Sequence, residues 1–168
     1  EETMITKASI RDLEMIDRLT VKVVEDMKAS NIPQWNYPYP RYKVFYRDMT
    51  LDGLYVDKDG DKVLGVMTLL EENDPAYKVL QTWQGKNSLV IHRLMVDPSV
   101  RSKGLATKFL DYACALAKTG GYDSIKIDTH EENYKMRTFL KKHGFIEKGY
   151  LPSINRLAYE KVLEEKNE

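Results

Sequence analysis

The run Val96-Asp97-Pro98-Ser99-Val100-Arg101-Ser102-Lys103-Gly104-Leu105-Ala106 limits the possible folds more than any other stretch of the chain. A strong apolar strand, Ser88 to Val96, stops at Asp97-Pro98. A short basic turn with one glycine follows, and a helix opens at Leu105. The first N–H groups of a helix have no partner within it and carry a partial positive charge, so an anion can complete them. Gly104 has no side chain to hold an anion off the main chain. Ala106 keeps the next approach open, and Arg101 and Lys103 add positive charge. The turn reads as a pyrophosphate cradle built mainly from main chain, although a plain strand-to-helix connector also uses such a glycine. It is not a Walker loop, which needs Gly-x-x-x-x-Gly-Lys-Ser/Thr, nor a dinucleotide fingerprint, which needs three spaced glycines.

A chain of 168 residues fits one domain, residues 1–168, and a core of that size needs no staples. Acidic and basic residues balance at 26 each, so net charge gives no reason to expect nucleic acid or a membrane surface as partner. The single cysteine, Cys114, excludes an internal disulfide and suits a reducing cytoplasm. Within Ala113-Cys114-Ala115-Leu116-Ala117 it reads as a small apolar filler. No stretch approaches the roughly 18 apolar residues of a spanning helix. The acidic start, Glu1-Glu2-Thr3-Met4, does not read as a signal peptide, and no metal site is expected.

Along the chain, Met4 to Ala8 reads as a short strand. Ser9, with Asp12 three residues on, signals the start of a helix in which Leu13, Ile16, Thr20, Val23, Val24 and Met27 form one stripe up to about Ser30. Three prolines forbid regular structure in Ile32 to Pro40. Tyr42 to Met49 reads as a short helix. Leu54 to Asp57 and Val63 to Leu70 flank the turn signal Asp59-Gly60 and predict a hairpin. Glu71 to Lys86 is polar and reads as a loop with a helical turn. After the Leu105 helix, closed by Gly120-Gly121, come a strand at Ser124 to Thr129 and a helix at Asn133 to His143. Strands at Phe145 to Glu147 and Arg156 to Leu163 end the chain. This order predicts an α/β (α+β) domain with a central mixed sheet and helices on both faces.

Arg101-Ser-Lys-Gly104-Leu-Ala106 resembles the acyl-CoA signature Gln/Arg-x-x-Gly-x-Gly/Ala of the GNAT superfamily of N-acetyltransferases. Ile91 to Pro98 is similar to the strand that leads into that loop. Asn133-x-x-Met136-x-x-Phe139-Leu140-x-Lys142-x-Gly144-Phe145 resembles the family's second block, at the right separation. The Gln34-Trp35 segment and Ile127 to Asn133 look like a subgroup of small bacterial members without a settled substrate. The resemblance implies a splayed sheet and acetyl-CoA as cosubstrate. It implies that the main chain of Arg101, Ser102, Lys103, Gly104, Leu105 and Ala106 holds the pyrophosphate. Leu94, Met95 and Val96 would pair with the pantetheine arm as with an added strand. Asn133 would hydrogen-bond the pantetheine or the phosphates, and it also suits a helix N-cap.

Acetyl transfer to an amine needs a neutral amine, a polarised thioester carbonyl and a proton for the leaving thiolate. A main-chain N–H at Leu94 to Val96 suits the second task. For the base, Asp128 lies near the end of the strand after the CoA helix, where several members of the family carry a glutamate. His130 shares its face if that strand continues. Either residue also has an ordinary local role. His92 and Arg93 alternate on the incoming strand, and periodicity does not decide which of them faces the ligand. Arg93 cannot act as a base but suits an acidic substrate. Leu140 stands where many members of the family have the tyrosine that protonates the thiolate. Tyr134 and Tyr150 are substitutes in sequence, Tyr134 the nearer. The other readings are an unaided thiolate, or a domain that binds acyl-CoA without turnover. Gln34, Trp35, Tyr37 and Tyr39 are candidates for the acceptor pocket, by cation–π contact if the amine arrives charged, and Trp35 also suits the edge of the core. The expected partner is a small-molecule or peptide amine, and the expected state is a cytoplasmic monomer or homodimer.

Overall fold

The computed structural model of the chain describes residues 2–164. In order, its elements are β1 (Ile5–Lys7), α1 (Leu13–Ala29), α2 (Tyr42–Thr50), β2 (Leu54–Asp59), β3 (Lys62–Glu71), β4 (Ser88–Val96), α3 (Leu105–Thr119), β5 (Ser124–Thr129), α4 (Tyr134–Lys142), β6 (Ile146–Leu151) and β7 (Arg156–Val162). The strands form one sheet in the order β1-β2-β3-β4-β5-β7-β6. The β4–β5 pair is parallel, while β1–β2, β2–β3, β5–β7 and β6–β7 are antiparallel, which makes the sheet mixed as expected. The parallel ladder runs from Ser88↔Ser124 to Ile91↔Ile127, and β4 extends five residues beyond its last rung. Among the described residues no helix is long and apolar enough to cross a membrane.

The chain divides into two compact units. One holds the chain up to Leu70 together with His92–Tyr112, and the other holds Glu71–Ile91 together with the chain from Ala113 onward. In the first unit, the helical spacing of α1 turns Leu13, Ile16, Leu19, Val23 and Val24 inward, against Phe45 of α2, Leu54 and Val56 of β2, Val63 and Val66 of β3 and Met95 of β4. Burying each such side chain is worth about 1.5–3 kcal/mol. Thr20 lies on the same stripe and is fully buried, its hydroxyl donating to the Ile16 carbonyl at 2.8 Å. A 3-10 turn at Ile10–Asp12 comes before α1, so the helix starts later than Ser9 suggests. Asp12 accepts the Ser9 main-chain N–H at 2.8 Å and the Lys58 ammonium at 2.9 Å. Gly65 lets α3 approach β3, because a side chain there would sit 2.7 Å from the Phe109 ring.

In the second unit, Ala76, Tyr77, Val90, Leu151 and Ala158 form a core that Leu80, Trp83 and Ile154 cover. The polar stretch after Glu71 contains a 3-10 turn, Pro75–Val79, as the sequence predicts. Glu160 of β7 ties down its far end: the carboxylate is 1% exposed and accepts the Gln84 and Gly85 main-chain N–H groups at 2.8 and 3.0 Å and the Ser124 hydroxyl at 2.9 Å. Strand β6 runs past its expected end at Glu147 to Leu151. Its pairing with β7 shifts register between Glu147 and Gly149.

Candidate functional site

Strand β4 breaks its own alternation at Arg93, whose φ is 50°. A non-glycine residue in that region costs on the order of 1–3 kcal/mol and persists only where its surroundings hold it. Here they do. Arg93 Nε and Nη2 donate to the two oxygens of Asp48 on α2 at 2.6 and 2.7 Å, and Nη1 donates to the Tyr39 hydroxyl at 3.1 Å. Asp48 is fully buried and also accepts the Thr68 hydroxyl at 2.7 Å. Burial alone would lower the pKa of the Arg93 guanidinium, but the Asp48 carboxylate outweighs it and the net shift is upward. The fork that the sequence offers to an acidic substrate is thus filled by the protein's own carboxylate.

The basic turn after β4 is fastened at both ends. Asp97, 3% exposed, accepts the Ser99 main-chain N–H at 2.9 Å and the Lys22 ammonium at 3.0 Å. Burial pushes the Asp97 carboxyl up, but the hydrogen bonds from Ser99 and Lys22 outweigh it and hold it below its ordinary value. Arg101 pairs with Asp26 of α1, so part of the turn's charge is already neutralised. Arg101, Ser102, Lys103 and Gly104 are exposed. Ser102 and Gly104 both take left-handed conformations, with φ of 71° and 77°, and apart from its chain neighbours nothing lies within 4 Å of where a Gly104 side chain would begin. The main chain of such a turn lies uncovered, so an anion can approach its N–H groups. The first N–H groups of α3, at Leu105 and Ala106, point from the same turn and have no acceptor within the helix. The open space, the left-handed turn and the start of a 15-residue helix fit a pyrophosphate.

Tyr37 and Tyr39 are exposed, whereas Trp35 is only 8% exposed and packs in the core of its unit. Gln34 beside it is half-buried. The Tyr37 ring already carries the Lys28 ammonium 4.0 Å from its centre, so an amine arriving there competes with Lys28.

In the second unit Asp128 is the last but one residue of β5 and half-buried. The Tyr77 hydroxyl donates to its Oδ2 at 2.6 Å. Tyr77 is fully buried; burial, and then the Asp128 carboxylate, push its phenol well above the ordinary tyrosine value. Strand β5 ends at Thr129, so His130 lies beyond it in a turn, 6% exposed, with Nδ1 accepting the Glu132 main-chain N–H at 3.1 Å. Asn133 caps α4, its side-chain oxygen accepting the Met136 N–H at 3.2 Å. Tyr134 is 67% exposed, and the Tyr150 hydroxyl donates to Asn155 at 2.7 Å. Leu140 is fully buried. Among the described residues no group of three or more His, Cys, Asp or Glu is placed to hold a metal ion.

Sequence reasoning missed the partners: Asp48 for Arg93, Asp26 for Arg101 and Tyr77 for Asp128. For Asp48 a signal existed, since it falls three residues after Phe45 on the buried stripe of α2. A carboxylate on an apolar stripe implies a buried cation. For Tyr77 no such signal exists, because 51 residues separate it from Asp128 and its turn has no periodicity.

The model of the family described as Acetyltransferase (GNAT) matches residues 21–145, and the chain belongs to this family. Acetyl-CoA-dependent acyl transfer is the family's general chemistry. A GNAT-family acetyltransferase from Streptococcus agalactiae 2603 aligns with a TM-score of 0.83 at 23% identity, covering 97% of this chain and 96% of that one. A GNAT-family acetyltransferase from Listeria monocytogenes 4b F2365 gives 0.77 at 18% identity, covering 96% and 95%. The PaiA N-acetyltransferase of Thermoplasma acidophilum, in complex with coenzyme A, gives 0.72 at 16% identity, covering 96% and 99%. These likenesses show the fold. Among curated proteins none matches.

Proposed function

We propose that the chain is an N-acetyltransferase that moves an acetyl group from acetyl-CoA to a primary amine of a small molecule or peptide by direct attack. Residues 1–168 would act as a single catalytic domain in the cytoplasm, as a monomer or a homodimer. The observation that carries this reading is the exposed, left-handed turn Arg101–Gly104 at the head of α3, with its open space around Gly104. It supports a pyrophosphate held by the main chain from Arg101 to Ala106; the role of Asn133 as a further donor rests on the resemblance alone. The coenzyme supplies an activated acetyl thioester when bound. Leu94, Met95 and Val96 offer main-chain groups to its arm, and an N–H from this run donates to the carbonyl oxygen. Asp128 takes the proton of the amine, directly or through a water, because an amine of lysine-like pKa is about 0.1% neutral at pH 7. His130 and Tyr134 are the next candidates for moving protons: His130 is buried and held by Glu132, and Tyr134 is exposed. Gln34, Trp35 and Arg93 border the acceptor, Trp35 from within the core and Arg93 by holding Tyr39.

Leu140 favours a second reading. Fully buried and apolar, it offers no proton at the position where the resemblance implies a tyrosine. A domain that binds acyl-CoA without turnover would need none.

Thiol release from acetyl-CoA across amines, amino acids, polyamines and short peptides, with CoA calorimetry on the same sample, separates the two. Amine-dependent release supports the enzyme and names the acceptor class. Tight CoA binding without release supports the module. Gly104→Glu adds bulk and negative charge to the open turn and is expected to weaken CoA at least about 100-fold, since juxtaposed like charges cost several kcal/mol. Unchanged affinity would remove the turn from the site.

A further inference from the structure

We propose that Tyr77 is a positioning residue for the reaction: it orients the Asp128 carboxylate and favours its charged form. The inference rests on the reading of Asp128 as the group that takes the amine's proton. The geometry is unusual for a tyrosine that only fills space. Its ring is fully buried, yet its hydroxyl is spent on a half-buried carboxylate at 2.6 Å, at the end of β5.

Further contacts fix where that hydroxyl stands. Asp74 accepts the Ala76 N–H at 2.9 Å and begins the turn that carries Tyr77. The Trp83 indole N–H donates to the Tyr77 carbonyl at 2.7 Å, and the two rings stack with centres 5.4 Å apart. Lys126 of β5 lies 4.5 Å from the centre of the Trp83 ring. The neighbouring Gln84 and Gly85 are bound to Glu160 of β7. The stretch after Glu71, polar in sequence, thus delivers one phenol to one carboxylate.

The chemistry suits the task. A bidentate cation would orient a carboxylate but depress its proton affinity by 1–3 pH units and spoil it as a base. A neutral hydroxyl orients it with a smaller effect. This hydroxyl also stays protonated throughout the working pH range, since burial and the Asp128 charge hold its pKa well above 10. The other charges that act on Tyr77 are Asp74 and Glu72, both acidic and both beside its own turn. Across the ladder, Asp128 faces Ala158 of β7, which does not titrate. His130 follows it two residues later.

The test compares wild type with Tyr77→Phe, which keeps the ring and deletes the donor, and with Asp128→Asn. Carbon-13 NMR follows the Asp128 carboxyl through its titration in the protein alone. Thiol release with an amine from the panel is measured from pH 5 to 9, and CoA calorimetry and thermal unfolding report on each variant. Losing a donor to the charged form raises the proton affinity of Asp128. Tyr77→Phe should therefore move the NMR midpoint and the acidic limb of kcat/KM upward together, by about one pH unit. It should also lower kcat about tenfold at the plateau and leave CoA affinity unchanged. An unmoved midpoint overturns the proposal, as does a midpoint that moves while kcat and the limb of kcat/KM stay put. Full turnover by Asp128→Asn would sink the reading of Asp128 as base and the role of Tyr77 with it. Loss in Asp128→Asn without change in Tyr77→Phe would sink the role of Tyr77 alone. If Tyr77→Phe fails to fold, ortho-fluorotyrosine at position 77 keeps the shape and makes a stronger donor. The midpoint and limb should then move downward, and no movement overturns the proposal.

Discussion

Asp48 and Asp128 each anchor a cluster, one in each compact unit, and their partners differ in kind. Asp48 is fully buried and meets the Arg93 guanidinium through two short hydrogen bonds, with the Thr68 hydroxyl as a third. Asp128 is half-buried and accepts the Tyr77 hydroxyl. An ion pair neutralises a carboxylate and makes it a structural bolt, whereas a hydroxyl steadies a carboxylate and leaves it its charge. The first arrangement suits holding a strained strand residue in place. The second suits a group that must gain and lose protons.

Breaking the bolt should give the largest effect on stability. Asp48→Ala leaves the Arg93 charge buried and is expected to cost about 3–5 kcal/mol. Urea unfolding measures it, and a cost near 1 kcal/mol would mean that Arg93 finds another partner. Asp128→Asn should show the reverse profile: turnover about 100-fold lower, with stability changed by less than about 1.5 kcal/mol. A large loss of stability there would erase the distinction between the two carboxylates.

A third carboxylate grades the comparison. Asp97 is buried, but its cation, Lys22, has a side chain 52% exposed. Lys22→Ala should cost only about 0.2–1 kcal/mol at pH 7. The folded-state pKa of Asp97 is depressed, so its stabilisation is present above the unfolded value, about 3.9, and is lost as pH falls through the folded one. The gap between wild type and Lys22→Ala should therefore be full at neutral pH and close in acid. A gap constant down to pH 2 would show that the Lys22 stem acts by packing rather than by charge.

The comparison also shows what the sequence discloses and what it hides. Strands β4 and β5 fall on the expected residues because their apolar runs end at Asp97-Pro98 and at polar turns. Helix α1 was legible from its stripe, although Leu19, 4% exposed, joins the core without being foreseen. The turn at Gly104 was legible as chemistry because it is local: its strand, glycine and helix start are contiguous. Arg93 was not, because a left-handed residue inside an apolar strand leaves no mark on a period-two pattern. Tyr77 was not, because its partner is brought to it by the fold and not by spacing.

The Arg93–Asp48 contact bears on how this chain can change over generations. Either residue replaced alone leaves an uncompensated buried charge, so the routes to an apolar pair pass through a poorly folded intermediate sequence. The strained backbone at position 93 narrows them further, since most side chains would then hold that geometry without a partner. The two positions are expected to be inherited together or lost together. Comparing sequences of near relatives at positions 48 and 93 would read that linkage without any protein being made.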